Sequence, residues 1–514
     1  MAQQLQAFSI SAPGFFGLNT QDSSLELALG YALVANNCVI DQYGRIGARK
    51  GYTKQHSTLS ALGTNDVKTI TEMVDKDGTS YTLCAGNNKI FKLVGTTLSE
   101  VTFNGVGTAP TITDSNWSTA YLDGDLYFYQ RGHVPIGFDP ASSTTQYYRV
   151  DQESGYNGTV QQANIVISAY GRLWNADTTT DKVTVQWSDT KNPQKWGSGT
   201  AGTLDTTSVW PKGGDIIVAL AAHNNFLYIF GKRNILIYQG ANTPATMTLY
   251  DVVTGIGCIA RDSIANTGAD VIFLSETGLR SISRTIQEKS APLNDLSKNV
   301  RNDLITAVSG EDAATIKSVY SPREGFYLLT LPLTKQVYCF DTKATLPDGS
   351  LRVTTWDTVE PKSFCQRSDG TLLIGRPGFI CKYTGYYDND STTYRLQYYT
   401  QHTDLGTPNV TSILKKLKVV VIGGTNQTIT MKWAYDFTGA FQSQNVTIVD
   451  QAVSYYGIGE YGTAYYTDGV ALQTVTAYPT GSGKVIQTGY ETDVNGYALS
   501  IQKIEIHAKN GKIA

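Results

Sequence analysis

The sequence predicts an all-β-dominated chain: a β-propeller of about six to seven blades, a C-terminal β-sandwich-like domain and few helices. The first observation is a recurring cassette of Asp/Asn/Gly turns and short apolar strands. Asp77-Gly78 precedes a strand over 81–84, and Asn87-Asn88 then leads into 90–93. Asp123-Gly124 precedes 126–129 and then 134–138; Asn224-Asn225 precedes 226–230 and then 235–238. Ala269-Asp270 precedes 271–274 and then 279–282; Asp369-Gly370 precedes 372–374 and then 379–383. Apolar strands joined by tight turns are hairpins, and hairpins that return every few tens of residues are copies of one unit. Small antiparallel sheets repeated around an axis make a propeller. The second observation is composition: 17% charged residues with 49 Gly and 32 Tyr suits strands and turns rather than helix bundles or disorder.

The elements follow in order. Residues 1–66 lack the cassette and form an N-terminal segment of helix and hairpin. Ser23 or Ser24 is placed to cap a helix over about 25–36, with Glu26 in its first turn. Residues 39–52 read as strand, Gly turn and strand. Arg45, Arg49 and Lys50 cluster there, on a solvated turn face or at a contact with phosphate, an acidic partner or a neighbouring subunit. The propeller takes 67–395, interrupted by a helix over 292–308 that Ser309-Gly310 ends. Leu293, Leu296, Val300 and Leu304 share one stripe of it, to cover a gap in the core or to meet a neighbouring subunit. From 396 to 514 the texture changes. A strand over 415–422, the turn 423–426 and a strand over 429–435 lead to a Gly/Tyr/Ser-rich stretch (455–469) and an alternating strand over 499–507. This is the sandwich-like domain, a platform or tip.

No enzyme signature is present. The chain lacks a Gly-x-Ser-x-Gly elbow, a phosphate-binding loop, a His-Glu-x-x-His pair and a dinucleotide fingerprint. Propellers can carry a glycosidase's carboxylate pair, but acidic residues here sit mostly in turns (Asp77, Asp123, Asp369), where they cap their own backbone. The six Cys and five His are scattered, as expected of buried thiols in a reducing compartment and not of a metal site, so no cofactor is expected. The net charge of −3 offers no basic footprint for gripping nucleic acid. There is no charged-then-apolar leader pattern and no apolar run long enough to span a membrane. The stretch from Trp187 through Ser188 and Asp189 to Trp196 is similar to the Asp-box turn of sialidases without its Gly-x-Thr-Trp ending. It reads as a structural hairpin end, with Ser188 and Asp189 closing the turn and Trp196 buried.

Several segments, in their order, resemble one family. These are Gly17-Leu18-Asn19-Thr20, Leu25-Glu26-Leu27, Gly30-Tyr31-Ala32, Ala35-Asn36-Asn37, Gly44-Arg45 and Arg49-Lys50-Gly51. They continue through the Trp187 to Trp196 hairpin, Leu227-Tyr228-Ile229-Phe230-Gly231-Lys232-Arg233, Gly255-Ile256-Gly257-Cys258 and Phe273 to Gly278. Thr403-Asp404-Leu405-Gly406 and Lys415-Lys416-Leu417 complete the set. Over about 17–420 the chain is similar to the tail nozzle, or hub, proteins of short-tailed bacteriophages (stabilisation protein, tail tubular protein B). It is shorter than the largest nozzles, and 440 onward matches no part of the family. The resemblance implies a structural virion protein, made in the bacterial cytoplasm and resident in the virion tail. It implies a homohexamer beneath the portal adaptor that makes a channel for genome ejection and docks fibres or spikes. Double-stranded DNA would pass through transiently and without specific grip, which suits a chain without long basic runs. The alternatives are a propeller that binds or degrades host surface glycan and a cellular propeller scaffold that binds protein partners.

Overall fold

The computed structural model describes residues 5–57, 61–287, 295–405, 410–449 and 472–513. Seven sheet units follow one another along the described chain. Unit I comprises Thr69–Val74, Ser80–Gly86, Lys89–Val94 and Thr97–Phe103. Unit II comprises Ser118–Leu122, Asp125–Tyr129, Ile136–Phe138 and Gln146–Arg149. Unit III comprises Ile165–Ala169, Arg172–Ala176, Thr184–Trp187 and Gly202–Asp205; unit IV comprises Ile217–His223, Phe226–Gly231, Asn234–Gln239 and Thr248–Thr254. Unit V has three strands, Ala265–Asn266, Val271–Ser275 and Gly278–Ser281. Unit VI comprises Lys317–Ser321, Phe326–Leu331, Gln336–Thr345 and Leu351–Trp356. Unit VII comprises Ser363–Gln366, Leu372–Arg376 and Phe379–Tyr383, with a fourth strand, Tyr52–Lys54, from the N-terminal segment. Within each unit the strands pair antiparallel, with sequence neighbours everywhere except at Tyr52–Lys54, as tight turns demand.

The units close into a ring because each buries one face against the next. Met73, Leu83 and Ile90 of unit I pack on Trp117, Phe128 and Phe138 of unit II. Tyr127 and Tyr129 meet Leu173 and Trp196 across II and III, and Trp174 and Val185 meet Leu227 and Ile229 across III and IV. Phe230 meets Phe273 across IV and V, and Leu274 meets Leu329 across V and VI. Trp356 and Phe326 meet Ile374 and Tyr383 across VI and VII. Leu373 and Ile380 of unit VII return to Ile70 and Phe91 of unit I. Seven successive apolar interfaces, the last joining the first unit, make a β-propeller.

The N-terminal segment is woven into both parts of the molecule. Gln6–Ser11 pairs with Leu499–Ile513. Tyr31–Asn36 pairs with Tyr394–Thr400, and Ile46–Ala48 pairs with Leu499–Ile513. These strands complete a sandwich. One sheet is built on Val410–Gly423 and Leu499–Ile513. The other is built on Tyr394–Thr400, Ile486–Val494 and Thr428–Tyr435 and runs on into unit VI. Leu417, Val419, Ile504 and Ile506 of the first sheet share one core with Tyr398, Met431 and Tyr490 of the second.

Two expectations are corrected. The helix expected over 25–36 is a turn followed by the strand Tyr31–Asn36. Gly30 sits at φ +109, which a helix does not accommodate, and Tyr31 and Val34 prefer a pleated surface. The inserted helix is shorter than 292–308: a 3-10 turn, Lys298–Val300, leads into a helix over Arg301–Ser309. Residues 292–294 lie outside the described residues. The strand Tyr394–Thr400 pairs with Ile486–Val494 on one side and Tyr31–Asn36 on the other. The Tyr/Gly stretch over 455–469 lies outside the described residues.

Candidate functional site

The first strands of all seven units face a common axial cavity of about 420 Å³. Its wall is mixed, with Ile70, Ile165, Ile167, Leu220, Ile264 and Phe364 beside Thr69, Ser118, Thr119, Ser168 and Ser363. One end is closed by polar groups that stand at the starts of these strands. Arg261 Nε and Nη2 donate to Asp262 Oδ1 and Oδ2, both at 2.8 Å. Arg261 Nη1 donates to the Asn164 carbonyl (2.7 Å) and to Asn164 Oδ1 (2.8 Å), and Nη2 reaches Asn116 Oδ1 at 3.1 Å. Lys317 Nζ donates to Asp262 Oδ2 at 2.5 Å and also to Asn116 Oδ1. Asn116 Nδ2 in turn donates to the Ala314 carbonyl at 2.9 Å. Units II, III, V and VI are thereby tied together across the axis. Beside this plug, Lys68 of unit I pairs with Asp114 at 2.8 Å.

The plug's electrostatics suit a tie and not a catalyst. Burial works to raise the Asp262 carboxyl, but Arg261 and Lys317 outweigh it and hold the carboxyl well below the usual carboxylate range. Lys317 is pushed down, first by burial and then by Arg261, with Asp262 opposing. A carboxylate pinned by two cations is a poor proton carrier near neutrality. Among the described residues, no group of three His, Cys, Asp or Glu is placed to hold a metal. All six Cys are unpaired thiols; five are buried and Cys365 is half-buried.

A second concavity, about 470 Å³, lies where unit VI, the N-terminal hairpin and the sandwich meet. It holds two of the three basic residues singled out in the sequence. Arg45 Nε pairs with Asp41 at 2.7 Å and stacks over Tyr43, and Lys50 pairs with Glu324 at 2.5 Å. Arg323 stands exposed on its rim, and Lys343 lines it. The third residue, Arg49, is not on a solvated face. It is fully buried, forked onto Asp388 and stacked 3.9 Å from the Tyr394 ring centre. Burial works against its charge, and the Asp388 carboxylate more than offsets this, so its pKa is raised.

A third, smaller concavity of about 100 Å³ gathers Asp125, Asp139 and Glu153 of unit II and its following loop. Tyr127 and Tyr148 hydroxyls donate to Asp125 Oδ2. Burial, with Asp139 and Asp123 adding to it, pushes the Asp125 carboxyl up to about 6.

The other expected residues fall as follows. Leu296, Val300 and Leu304 are buried in the chain's own core beside Leu279 and Leu351, so they are not surface contacts, and the segment packs between units V and VI. Leu293 lies outside the described residues. Trp187 and Trp196 are buried, and Ser188 donates to the Asp189 carbonyl and accepts from the Leu173 amide. Asp189 accepts from the Thr190 and Thr200 amides and the Thr200 hydroxyl, which closes the turn. The plug was invisible to sequence reading because its members lie up to 201 positions apart and share no local motif.

No family model and no curated protein matches the chain. Solved structures with some likeness include the extracellular domain of a one component system from B. thetaiotaomicron, at TM-score 0.39 and 10% identity. That match covers 88% of this chain and 60% of the other, so this chain spans less than two thirds of its length. Kuenenia stuttgartiensis hydrazine synthase matches at TM-score 0.37 and 10% identity, over 63% of this chain and 97% of that one. An auxiliary nutrient binding protein from Bacteroides thetaiotaomicron matches at TM-score 0.33 and 9% identity, over 74% and 76%. With TM-scores below 0.5, the fold rests on the strand pairing and packing described above, which make this chain an all-β protein of the β-propeller kind.

Proposed function

We propose that this chain is a structural virion protein, the nozzle of a short phage tail. It assembles as a ring beneath the portal adaptor and carries fibres or spikes on its outside. The observation that carries this reading is the position of the residues that resemble the nozzle family. Gly44-Arg45 and Arg49-Lys50-Gly51 lie at the joint between propeller and sandwich. There Arg49 bonds Asp388, and the Gly51 amide donates to the Gly385 carbonyl at 2.9 Å. A motif that fuses two domains into one rigid body suits a load-bearing wall. The propeller's own axis is no conduit. Arg261, Asp262, Lys317, Asn116 and Asn164 bridge units II, III, V and VI across it. The DNA path therefore runs between subunits, which a cyclic ring with heterologous contacts provides.

Electron microscopy of the purified chain, with and without the adaptor ring, tests this. A six-fold ring that docks coaxially on the adaptor is expected. A monodisperse monomer that ignores the adaptor overturns the reading and turns attention to polysaccharide screening.

A further inference from the structure

The direction of the propeller strands places two charged surfaces at the same end of the molecule. Asn116 and Lys317 meet in the plug, so the first strands of units II and VI both start there. Their far ends, after Leu122 and Ser321, lie at the opposite end. At the far end of unit II the two-residue turn Asp123-Gly124, both with positive φ, forms a protruding hairpin tip with Tyr121 exposed beside it. Asp125, Asp139 and Glu153 gather behind it. At the far end of unit VI the turn 322–325 forms one wall of the cleft described above. Four cations (Arg45, Lys50, Arg323 and Lys343) line that cleft; Arg45, Lys50 and Lys343 pair with Asp41, Glu324 and Asp341, and Arg323 stands exposed. Around the ring, units VII and I separate VI from II on one side, and III, IV and V separate them on the other. The two surfaces thus stand on nearly opposite flanks of the propeller.

We propose that these surfaces dock on each other between copies: the acidic hairpin tip of unit II enters the basic cleft of the adjacent subunit. This rests on the side-by-side assembly proposed above and names its contact. A hairpin tip that carries Asp123, with Asp125, Asp139 and Glu153 lining the small concavity behind it, and a basic cleft on the opposite flank make a heterologous interface, which propagates around a ring. Charge complementarity fixes register and speeds association. The acidic side is short of counter-charge within its own chain. Glu153 is pushed up by burial and by Asp139, and Asp151 takes the nearby Arg149 for itself with bonds of 2.9 and 2.7 Å. On the basic side, the floor of Val39, Ile40, Phe326 and Tyr386 offers apolar area for Tyr121.

The test is sedimentation velocity of the full chain at low and high salt, with near-ultraviolet circular dichroism as the fold control. The variants are Arg323→Glu, Glu153→Lys, Glu153→Gln and the double reversal in one chain. The expected result is salt-sensitive association that each single reversal weakens on the order of tenfold and Glu153→Gln weakens less. The double reversal restores it. Association that ignores all the variants overturns this contact while leaving the ring reading intact. A wild-type chain that stays monomeric at all concentrations also overturns it, and the adaptor-docking experiment then judges the nozzle reading separately.

Discussion

Arg49 and Asp388 form a buried two-pronged ion pair, Nη1 to Oδ1 at 2.8 Å and Nη2 to Oδ2 at 2.7 Å, with side chains 0% and 5% exposed. Arg49 Nε also donates to Asn37 Oδ1, Nη2 to the Thr358 hydroxyl and Nη1 to the Lys50 carbonyl. One guanidinium thus binds the N-terminal hairpin to the segment after unit VI and the loop after unit VII. Removing one partner of such a pair leaves the other charged and dry, which costs about 3–5 kcal/mol. Arg49→Met is expected to lose stability in that range by urea denaturation. Asp388→Asn should lose a similar amount, because it strands the guanidinium. The double variant should recover part of the loss, since neither charge is then left alone.

Gly51 is a second test of the same joint. A Cβ there would lie 1.8 Å from the Tyr387 carbonyl oxygen and 2.8 Å from its nitrogen. The obstacle is backbone, so no rotamer change relieves it, and moving it would break the hydrogen bond that the Tyr387 carbonyl accepts from the Tyr52 amide. Gly51→Ala is expected to abolish soluble, cooperatively unfolding protein. By contrast, Gly78→Ala in the hairpin of unit I meets open space and strains only a φ of +82. It should cost about 1 kcal/mol. Thermal unfolding of both variants checks the contrast.

Much of the propeller was legible because its turns announce themselves. Asp123, Asn224 and Asn225 all sit at positive φ, the conformation for which those residue types are enriched, and each opens a strand where the cassette placed one. Units III and VI were harder to read, since the first turn of III is Tyr170-Gly171 and the second turn of VI uses Lys335 in place of Asn or Asp pairs. The ring closure was not legible at all. Tyr52–Lys54 pairs with Phe379–Tyr383 some 330 positions away, and no local pattern marks a strand for so distant a partner. The same holds for Arg49. Its neighbours in sequence made it look like a turn cation, while Asp388, 339 positions on, makes it core.

Glu491 and Asp125 are expected to give opposite pH dependences. Glu491 is 2% exposed and accepts from Arg395, Gln397 and Tyr399, with Lys432 Nζ at 2.9 Å. Burial raises its pKa, but these donors outweigh burial and hold it at about 2. A folded pKa below the unfolded value stabilises above the ordinary carboxylate range, and the gain fades as pH falls from about 4.3 towards 2. Glu491→Gln should therefore cost about 2–3 kcal/mol at neutral pH and almost nothing at the acid end. Asp125, at about 6, works the other way. Below about pH 4 both folded and unfolded chains hold its proton; between about 4 and 6 only the folded chain does, so rising pH removes stability. Asp125→Asn keeps an acceptor for Tyr148 and should raise stability at neutral pH by about 1 kcal/mol. Melting temperatures of the three proteins across this range would show the two slopes.

The axial plug predicts a loss spread over four units. Asp262 is the carboxylate that both Arg261 and Lys317 bond, while Asn164 also donates to Asp177, and the Asp262 side chain is 26% exposed against 9% for each cation. Asp262→Asn would leave two covered cations facing each other. The partial exposure of the site lets water relieve some of that, so about 2 kcal/mol is expected, below the value for a fully buried pair. Because the folded carboxyl lies well below the usual range, its stabilising share is complete above about pH 4 and declines below it. The variant should therefore match wild type only in strong acid. Amide exchange offers the sharper check. Losing the tie should speed exchange at the starts of the first strands in units II, III, V and VI together, with units I and VII little changed. Exchange confined to the loop around Asp262 would mean that the plug is a local ornament on a ring held by its seven apolar interfaces alone.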